Sequence, residues 1–314
     1  MGQKLRPKDY IVTADGLYFA VVLGVPENGR IFASLRYLET PDGVRKFNTT
    51  GALDFLKSRY SRYQFFSAHL DAETTAIPLS AISRVYWPED AVTGLLNRCP
   101  DDALFKRARH ILNYFIGGGI DPKVLGITGS LMLGFHRPDS DIDLVIYERG
   151  SFHAARSLIQ KAMAEHVFSE LDYNTWQKTY QRRGCSLSFD KYLFHEKRKA
   201  NKFMCDETKV DISFQSSTEE DNSPCPPVSK TGISTIRAEV IDDTFIFDYP
   251  ACYIINHSEI QKILVYTATY YGQAFTGETI EARGMVECDT NKNKYMIIGT
   301  NREAAGEYMH VVSN

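Results

Sequence analysis

Two aspartates one residue apart are the part of the chain best suited to chemistry. Asp141 and Asp143 follow the turn residues Pro138, Asp139 and Ser140 and open a run, Ile142 to Ile146, rich in β-branched side chains. On a strand, alternate side chains face opposite ways. The two carboxylates therefore share one face, while Ile142, Leu144 and Ile146 point into a core. Adjacent carboxylates repel, and a hard divalent cation relieves the repulsion. Mg2+ (or Mn2+) prefers oxygen ligands and is commonly held by one or two carboxylates plus substrate phosphates. Just upstream, Gly129-Ser130 ends the apolar run "KVLGITG". Gly129 lets another group approach the backbone closely. A helix beginning at Ser130 exposes N–H groups suited to phosphate, and the Ser130 hydroxyl adds a donor. A triphosphate held at this turn would bring its own oxygens to a cation on Asp141 and Asp143.

The flanking elements must position this pair. Leu104, Ala108, Ile111, Leu112 and Phe115 recur at helical spacing over 102–115, and Gly117-Gly118-Gly119 stops that helix. A buried strand, a short helix from Ser130 and the strand of the two aspartates follow. Ser151 is expected to cap a long helix reaching about Leu171, with a second helical stretch near Thr175–Arg182. "KVDISFQ" is a further strand, so residues 91–217 are an α+β domain with a mixed sheet and helices. Residues 1–90 are β-rich, with turns at Asp15-Gly16, Asn28-Gly29 and Asp42-Gly43 and one helix over 51–60. The polar, proline-rich 218–231 is a linker. Residues 232–314 hold short strands between turns, as in a small β-barrel or sandwich.

The Gly129-Ser130 pair, followed after a short helix and turn by "DSDIDLVI", resembles the DNA polymerase β-like nucleotidyltransferase superfamily. "PDSDIDLVI" looks most like its minimal members, and the resemblance covers about residues 103–216. The flanking regions are similar to an uncharacterised archaeal group of predicted nucleotidyltransferases. The resemblance implies the nucleotidyltransferase fold, an NTP substrate, and transfer of an NMP group to an acceptor hydroxyl with pyrophosphate release. The acceptor is a nucleic acid end, a protein hydroxyl or a small molecule. It also implies that Gly129 and Ser130 hold the triphosphate, that Asp141 and Asp143 bind two metal ions for two-metal-ion catalysis, and that a third carboxylate on a neighbouring strand completes the site. Asp211, flanked by core-facing Val210 and Ile212, is that residue; Asp206, in an expected turn, is its rival. Minimal members often carry Arg directly after the Gly-Ser pair, where this chain has Leu131. The phosphate cation must then come from elsewhere. Arg137 and the basic run Lys197, Arg198, Lys199 and Lys202 are candidates, with Arg182 and Arg183 beside them.

Other features read as structure. His136 has no visible partner for catalysis. Tyr266, Tyr270 and Tyr271 alternate poorly with basic residues and suit packing better than base stacking. The three glycines lack a P-loop lysine. A net charge of −3 gives no global attraction to polyanions, and 24% charged with 43% hydrophobic residues is ordinary globular composition. Six cysteines without C-x-x-C pairs read as reduced thiols, and no run of about 18 apolar residues predicts a membrane span. Cytoplasm is the expected compartment. The rival function is a regulatory protein that binds nucleotide or nucleic acid on a degenerate nucleotidyltransferase fold. A metal phosphodiesterase is disfavoured because the histidines lack metal-ligand spacing.

Overall fold

The computed structural model describes residues 4–68, 72–98, 101–216, 228–299 and 304–312. The chain is α+β, with seven α-helices among the described residues. It divides into two compact units, Met1–Ala155 with Glu207–Cys225, and Arg156–Asp206 with Pro226–Asn314.

The first unit begins with a seven-stranded sheet: β1 (Tyr10–Thr13), β2 (Leu17–Glu27), β3 (Arg30–Thr40), β4 (Gly43–Lys46), β5 (Gln64–Ser67), β6 (Ala72–Pro78) and β7 (Ile82–Tyr86). Their order is β5-β6-β3-β2-β1-β7, with β4 added on β3. The expected turns are present. Asn28 (φ 49°) and Gly29 (φ 72°) both take positive φ, as a two-residue hairpin loop between β2 and β3 requires. Helix α1 (Thr49–Arg59), capped by the Asn48 side chain, buries Ala52 and Leu56 against Phe19, Ile31 and Leu35 on one face of the sheet. Full burial of a side chain such as Leu56 contributes about 1.5–3 kcal/mol.

The other sheet face presents Tyr10, Val12, Tyr18 and Tyr37, and Leu133, Met132 and Phe135 pack onto it. Those three belong to α4 (Gly129–Leu133) and the turn after it. Phe135 sits edge-on to Tyr18 and Tyr37 at 4.9 and 5.5 Å. Before it come α2 (Pro88–Leu96) and α3 (Ala103–Gly117), the latter capped by the Asp102 carboxylate on Leu104 and Phe105 N–H groups and ended at Gly118, as expected. Strands β8 (Leu125–Thr128) and β9 (Ile142–Ile146) flank α4, and β9 lies between β8 and β11 (Thr208–Phe214).

Helix α5 (Arg149–Ala164) carries the chain into the second unit. It starts two residues before the expected cap. Ser151 donates its N–H to Glu148 Oε2, so Glu148 serves the helix end, and the helix stops well short of Leu171. α6 (Tyr173–Arg183) is capped by Asp172, and α7 (Phe189–Arg198) by Ser188; α7 is not among the helices expected from the sequence, and the basic run begins in its last turn. β10 (Lys202–Cys205) follows. Residues 217–227, most of the expected linker, lie outside the described residues, and Val228–Thr231 already belong to a strand. That strand, β12 (Val228–Phe245), joins β13 (Ala251–Asn256), β14 (Ile260–Val265), β15 (Thr279–Asp289), β16 (Lys294–Ile298) and β17 (Tyr308–Val311) in the order β12-β13-β14-β16-β15-β17, and β12 also pairs with β15. Among the described residues Cys185, Cys205, Cys252 and Cys288 form no disulfide with one another; Cys99 and Cys225 lie outside the described residues.

Candidate functional site

The acidic face is built by β9 and β11, which run parallel with Val210 beside Ile142 and Asp211 beside Asp143. Residues in register on adjacent strands point to the same face. Asp211 therefore joins Asp143, and Asp141, the residue just before β9, is tied to the same face by the Lys209 ammonium it shares with Asp211. The opposite face carries Ile142, Leu144, Ile146, Val210, Ile212 and Phe214, each at most 4% exposed. This apolar layer fixes the register, because a one-residue slip would bury the carboxylates and expose the core.

On the other side of β9, antiparallel β8 sets Thr128 beside Asp143. Gly129 follows at φ 71°, and a Cβ built there would lie 2.9 Å from Asp143 Oδ2. Only glycine lets the backbone pass this close to the carboxylate. The next residue, Ser130, is buried at the start of α4, and its hydroxyl meets the Tyr37 phenol.

Lys209 lies two residues before Asp211 and so on the same face. Its Nζ donates to Asp141 Oδ2 at 3.1 Å and also to Asp211 Oδ2. The lysine side chain is 7% exposed, against 35% for Asp141 and 24% for Asp211. Burial by itself would lower the ammonium's pKa, but Asp211 and Asp141 outweigh it and hold the pKa above the usual lysine value. Asp143 moves the other way from an ordinary carboxylate. Crowding by protein, then the charge of Asp211, raises its pKa, while Lys209 and Lys8 oppose the rise. Lys8 belongs to the segment leading into β1. It takes a left-handed backbone (φ 78°), held by its N–H on Val21 O and by the Thr128 hydroxyl donating to its carbonyl at 2.8 Å.

Among the described residues, no group of three His, Cys, Asp or Glu forms a ready-made metal cage. The donor set nonetheless fits a hard cation in kind. Its donors are all carboxylate oxygens, they carry like charge, and an ammonium already stands between two of them.

The expected phosphate cations are placed in different ways. Arg137 is exposed, in a turn closed by its N–H on Ser140 Oγ and the Ser140 N–H on its carbonyl. Lys197 and Arg198 fall in the second unit. Lys197 pairs with Glu170 at 2.8 Å, and Arg198 pairs with Glu278 while its guanidinium lies 5.0 Å from the rings of both Phe194 and Phe275. Lys199 and Lys202 are buried on Glu196. Leu131, directly after the Gly-Ser pair, is 2% exposed and serves packing. His136 packs edge-on against Phe105 and sits 3.5 Å from Asp102, and Tyr270 is a core residue donating to Glu307 O. Asp206 occupies a turn at φ 51°.

Residues 118–223 match the family model of the nucleotidyltransferase domain. This segment belongs to the polymerase β-like nucleotidyltransferase superfamily. The nucleotidyltransferase domain thus takes in β8, α4, β9 and β11, the elements that assemble the acidic face. It supports nucleotidyl transfer from an NTP as the general activity. Over its whole length the chain is similar to an uncharacterized protein of Methanocaldococcus jannaschii, 29% identical over 98% of this chain and 99% of the relative. No solved structure matches the chain. No helix among the described residues is long and apolar enough to cross a membrane.

Sequence inspection passed over three residues at this site. Lys209 was legible, because period-two alternation puts it on the face of Asp211. Lys8 and Tyr37 were not, because they reach the nucleotidyltransferase domain across some ninety or more positions of chain, through folding of the amino-terminal sheet.

Proposed function

We propose that the protein transfers an NMP group from an NTP to an acceptor hydroxyl, releasing pyrophosphate, with Asp141, Asp143 and Asp211 as the catalytic and metal-holding carboxylates. The observation that carries this reading is the side-by-side register of Asp143 and Asp211 on parallel strands, with Asp141 linked to Asp211 through Lys209. A divalent cation bound there supplies Lewis-acid polarisation of the acceptor oxygen and charge relief at the leaving pyrophosphate. The chain's own part is positioning. The Gly129-Ser130 turn seats the triphosphate next to Asp143, and Asp211 orients the acceptor hydroxyl and accepts its proton. Arg137, exposed in the turn between α4 and Asp141, is the proposed cation for the triphosphate. Nucleic acid ends, protein hydroxyls and small molecules remain the acceptor classes. Because β12–β13–β14–β16–β15–β12 is a circuit of paired strands, we read the carboxy-terminal sheet as a small barrel that helps choose the acceptor.

Two observations favour a second reading, a nucleotide-binding protein without turnover: buried Leu131 in place of an arginine, and the ammonium of Lys209 within the carboxylate face. Metal-dependent release of labelled pyrophosphate from NTPs across the three acceptor classes separates them. Release that is lost in Asp141→Ala and in Asp143→Ala supports transfer. NTP binding with no release from any acceptor supports the second reading.

A further inference from the structure

The proposed reaction leaves one feature of the site unused: a nearly buried lysine bonded to two of the three carboxylates that would receive the metal. Lys209 stands on the same face of β11 as Asp211 and reaches across to Asp141, the residue just before β9. Such an ammonium is costly to bury without partners, and the carboxylates are costly to crowd without a cation. Each therefore stabilises the other. The consequence is competition, because a divalent ion needs the same oxygens of Asp141 and Asp211 that Lys209 now holds.

We propose that Lys209 is a resident counter-ion of the acidic face, which a divalent cation must displace before it can bind. This rests on the reading of Asp141, Asp143 and Asp211 as metal ligands. The formal charges give the proposal its direction. Three carboxylates against the ammoniums of Lys209 and the neighbouring Lys8 leave a net −1, so the lysines relieve the repulsion only partly and an attraction for a divalent ion persists. Once displaced, the ammonium needs a new anion, and triphosphate oxygens arriving at the same face provide one. Metal and nucleotide then favour each other's binding, with the arginine of the Gly-Ser segment replaced in function by a lysine from β11. A lysine is suited to this exchange, because it is a single point charge on a flexible stem.

The test measures Mn2+ binding to the full-length protein without nucleotide, by the electron paramagnetic resonance signal of free Mn2+. Wild type is compared with Lys209→Met, with Lys209→Gln, which keeps a donor for the carboxylates, and with Asp143→Ala. Melting temperatures are recorded with and without Mn2+. Removing the resident charge is expected to tighten Mn2+ binding by roughly tenfold or more. It should also enlarge the Mn2+-induced rise in melting temperature, while Asp143→Ala abolishes binding. A lysine variant that folds only when Mn2+ is supplied reports the same competition. Equal or weaker Mn2+ affinity in both lysine variants, with Asp143→Ala still abolishing it, overturns the counter-ion role and leaves the metal site standing. Absence of Mn2+ binding in wild type and lysine variants alike overturns both.

Discussion

Two clusters of lysine and carboxylate in this molecule look alike in composition and differ in outcome. In the first unit, three aspartates share a face with one lysine, and Asp141 and Asp211 keep 35% and 24% of their side chains exposed. In the second unit, Glu196 accepts from both Lys199 and Lys202, with side chains 1%, 1% and 6% exposed. Lys199 also donates to Thr269 O at 2.8 Å. Burial alone would raise the Glu196 pKa, but the two ammoniums outweigh it and hold it down to about 2. Burial lowers the Lys199 pKa to about 8, against the pull of Glu196. The second cluster is sealed, and its carboxylate is fully committed to neighbouring cations. The first is open to solvent on one side and has negative charge left over. An accessible cluster with negative charge left over can accept an outside cation; a buried one with two ammoniums on a single carboxylate cannot, and serves to hold the fold together.

The sharpest way to break the comparison is to remove one carboxylate from each cluster. Asp143→Ala is expected to lower pyrophosphate release by roughly a thousandfold or more. Its melting temperature without metal should hold or rise, since a crowded like charge is gone. Glu196→Gln should do the reverse, because it leaves two buried ammoniums without their counter-charge, at a cost of about 3–5 kcal/mol. Urea unfolding and turnover assays on the two variants decide this. A stable Glu196→Gln protein or an active Asp143→Ala protein would erase the distinction.

A smaller effect sharpens the structural side. His195 is buried beside the second cluster, with Nδ1 3.0 Å from Gln273 O and Nε2 accepting from the Val311 N–H. That geometry requires the neutral ring, with its proton on Nδ1. Burial first, then the Lys199 charge, lowers its pKa to about 4. In the unfolded chain the ring takes up its proton near pH 6.5, so between about 6.5 and 4 the folded state binds fewer protons. Stability contributed by His195 is therefore present above pH 6.5 and lost as pH falls through this window, by roughly 2–3 kcal/mol. His195→Gln should flatten the fall in melting temperature between pH 7 and 4, and an unchanged slope would show that the ring is accessible to protons when folded.

The smallest expected change is Gly129→Ala. The left-handed backbone makes alanine cost about 1–2 kcal/mol. The added methyl also meets Asp143 Oδ2, so turnover should fall by more than that stability loss explains. Equal turnover in folded Gly129→Ala protein would detach the Gly-Ser turn from the acidic face.

The same contrast separates what the sequence made legible from what it hid. The neighbouring placement of Asp141, Asp143 and Asp211 was legible because strand alternation is local and Asp143 and Asp211 are each flanked by core residues, which are buried. The hairpins of the amino-terminal sheet and helix α3 were legible from turn residues and helical spacing for the same reason. The basic run was ambiguous. Its helix buries Tyr192, His195 and Glu196, and only the partners Thr269 and Gln273, some seventy residues away, make Lys199 and His195 core residues. The packing of Leu133 and Phe135 on the tyrosines of the first sheet was hidden likewise, because no short-range pattern shows which sheet face receives α4. Ser151 misled because a preceding glutamate can serve a helix end equally well.

The central claim is that Asp141, Asp143 and Asp211 together hold divalent ions against a triphosphate seated at Gly129-Ser130. Crystals of the protein grown with Mn2+ and a non-hydrolysable NTP, with diffraction recorded at the manganese absorption edge, test it directly. The account predicts an anomalous peak in contact with all three carboxylates and with triphosphate oxygens, and the Lys209 ammonium moved off Asp211. A triphosphate bound with its manganese elsewhere, while Lys209 still bridges Asp141 and Asp211, would contradict it.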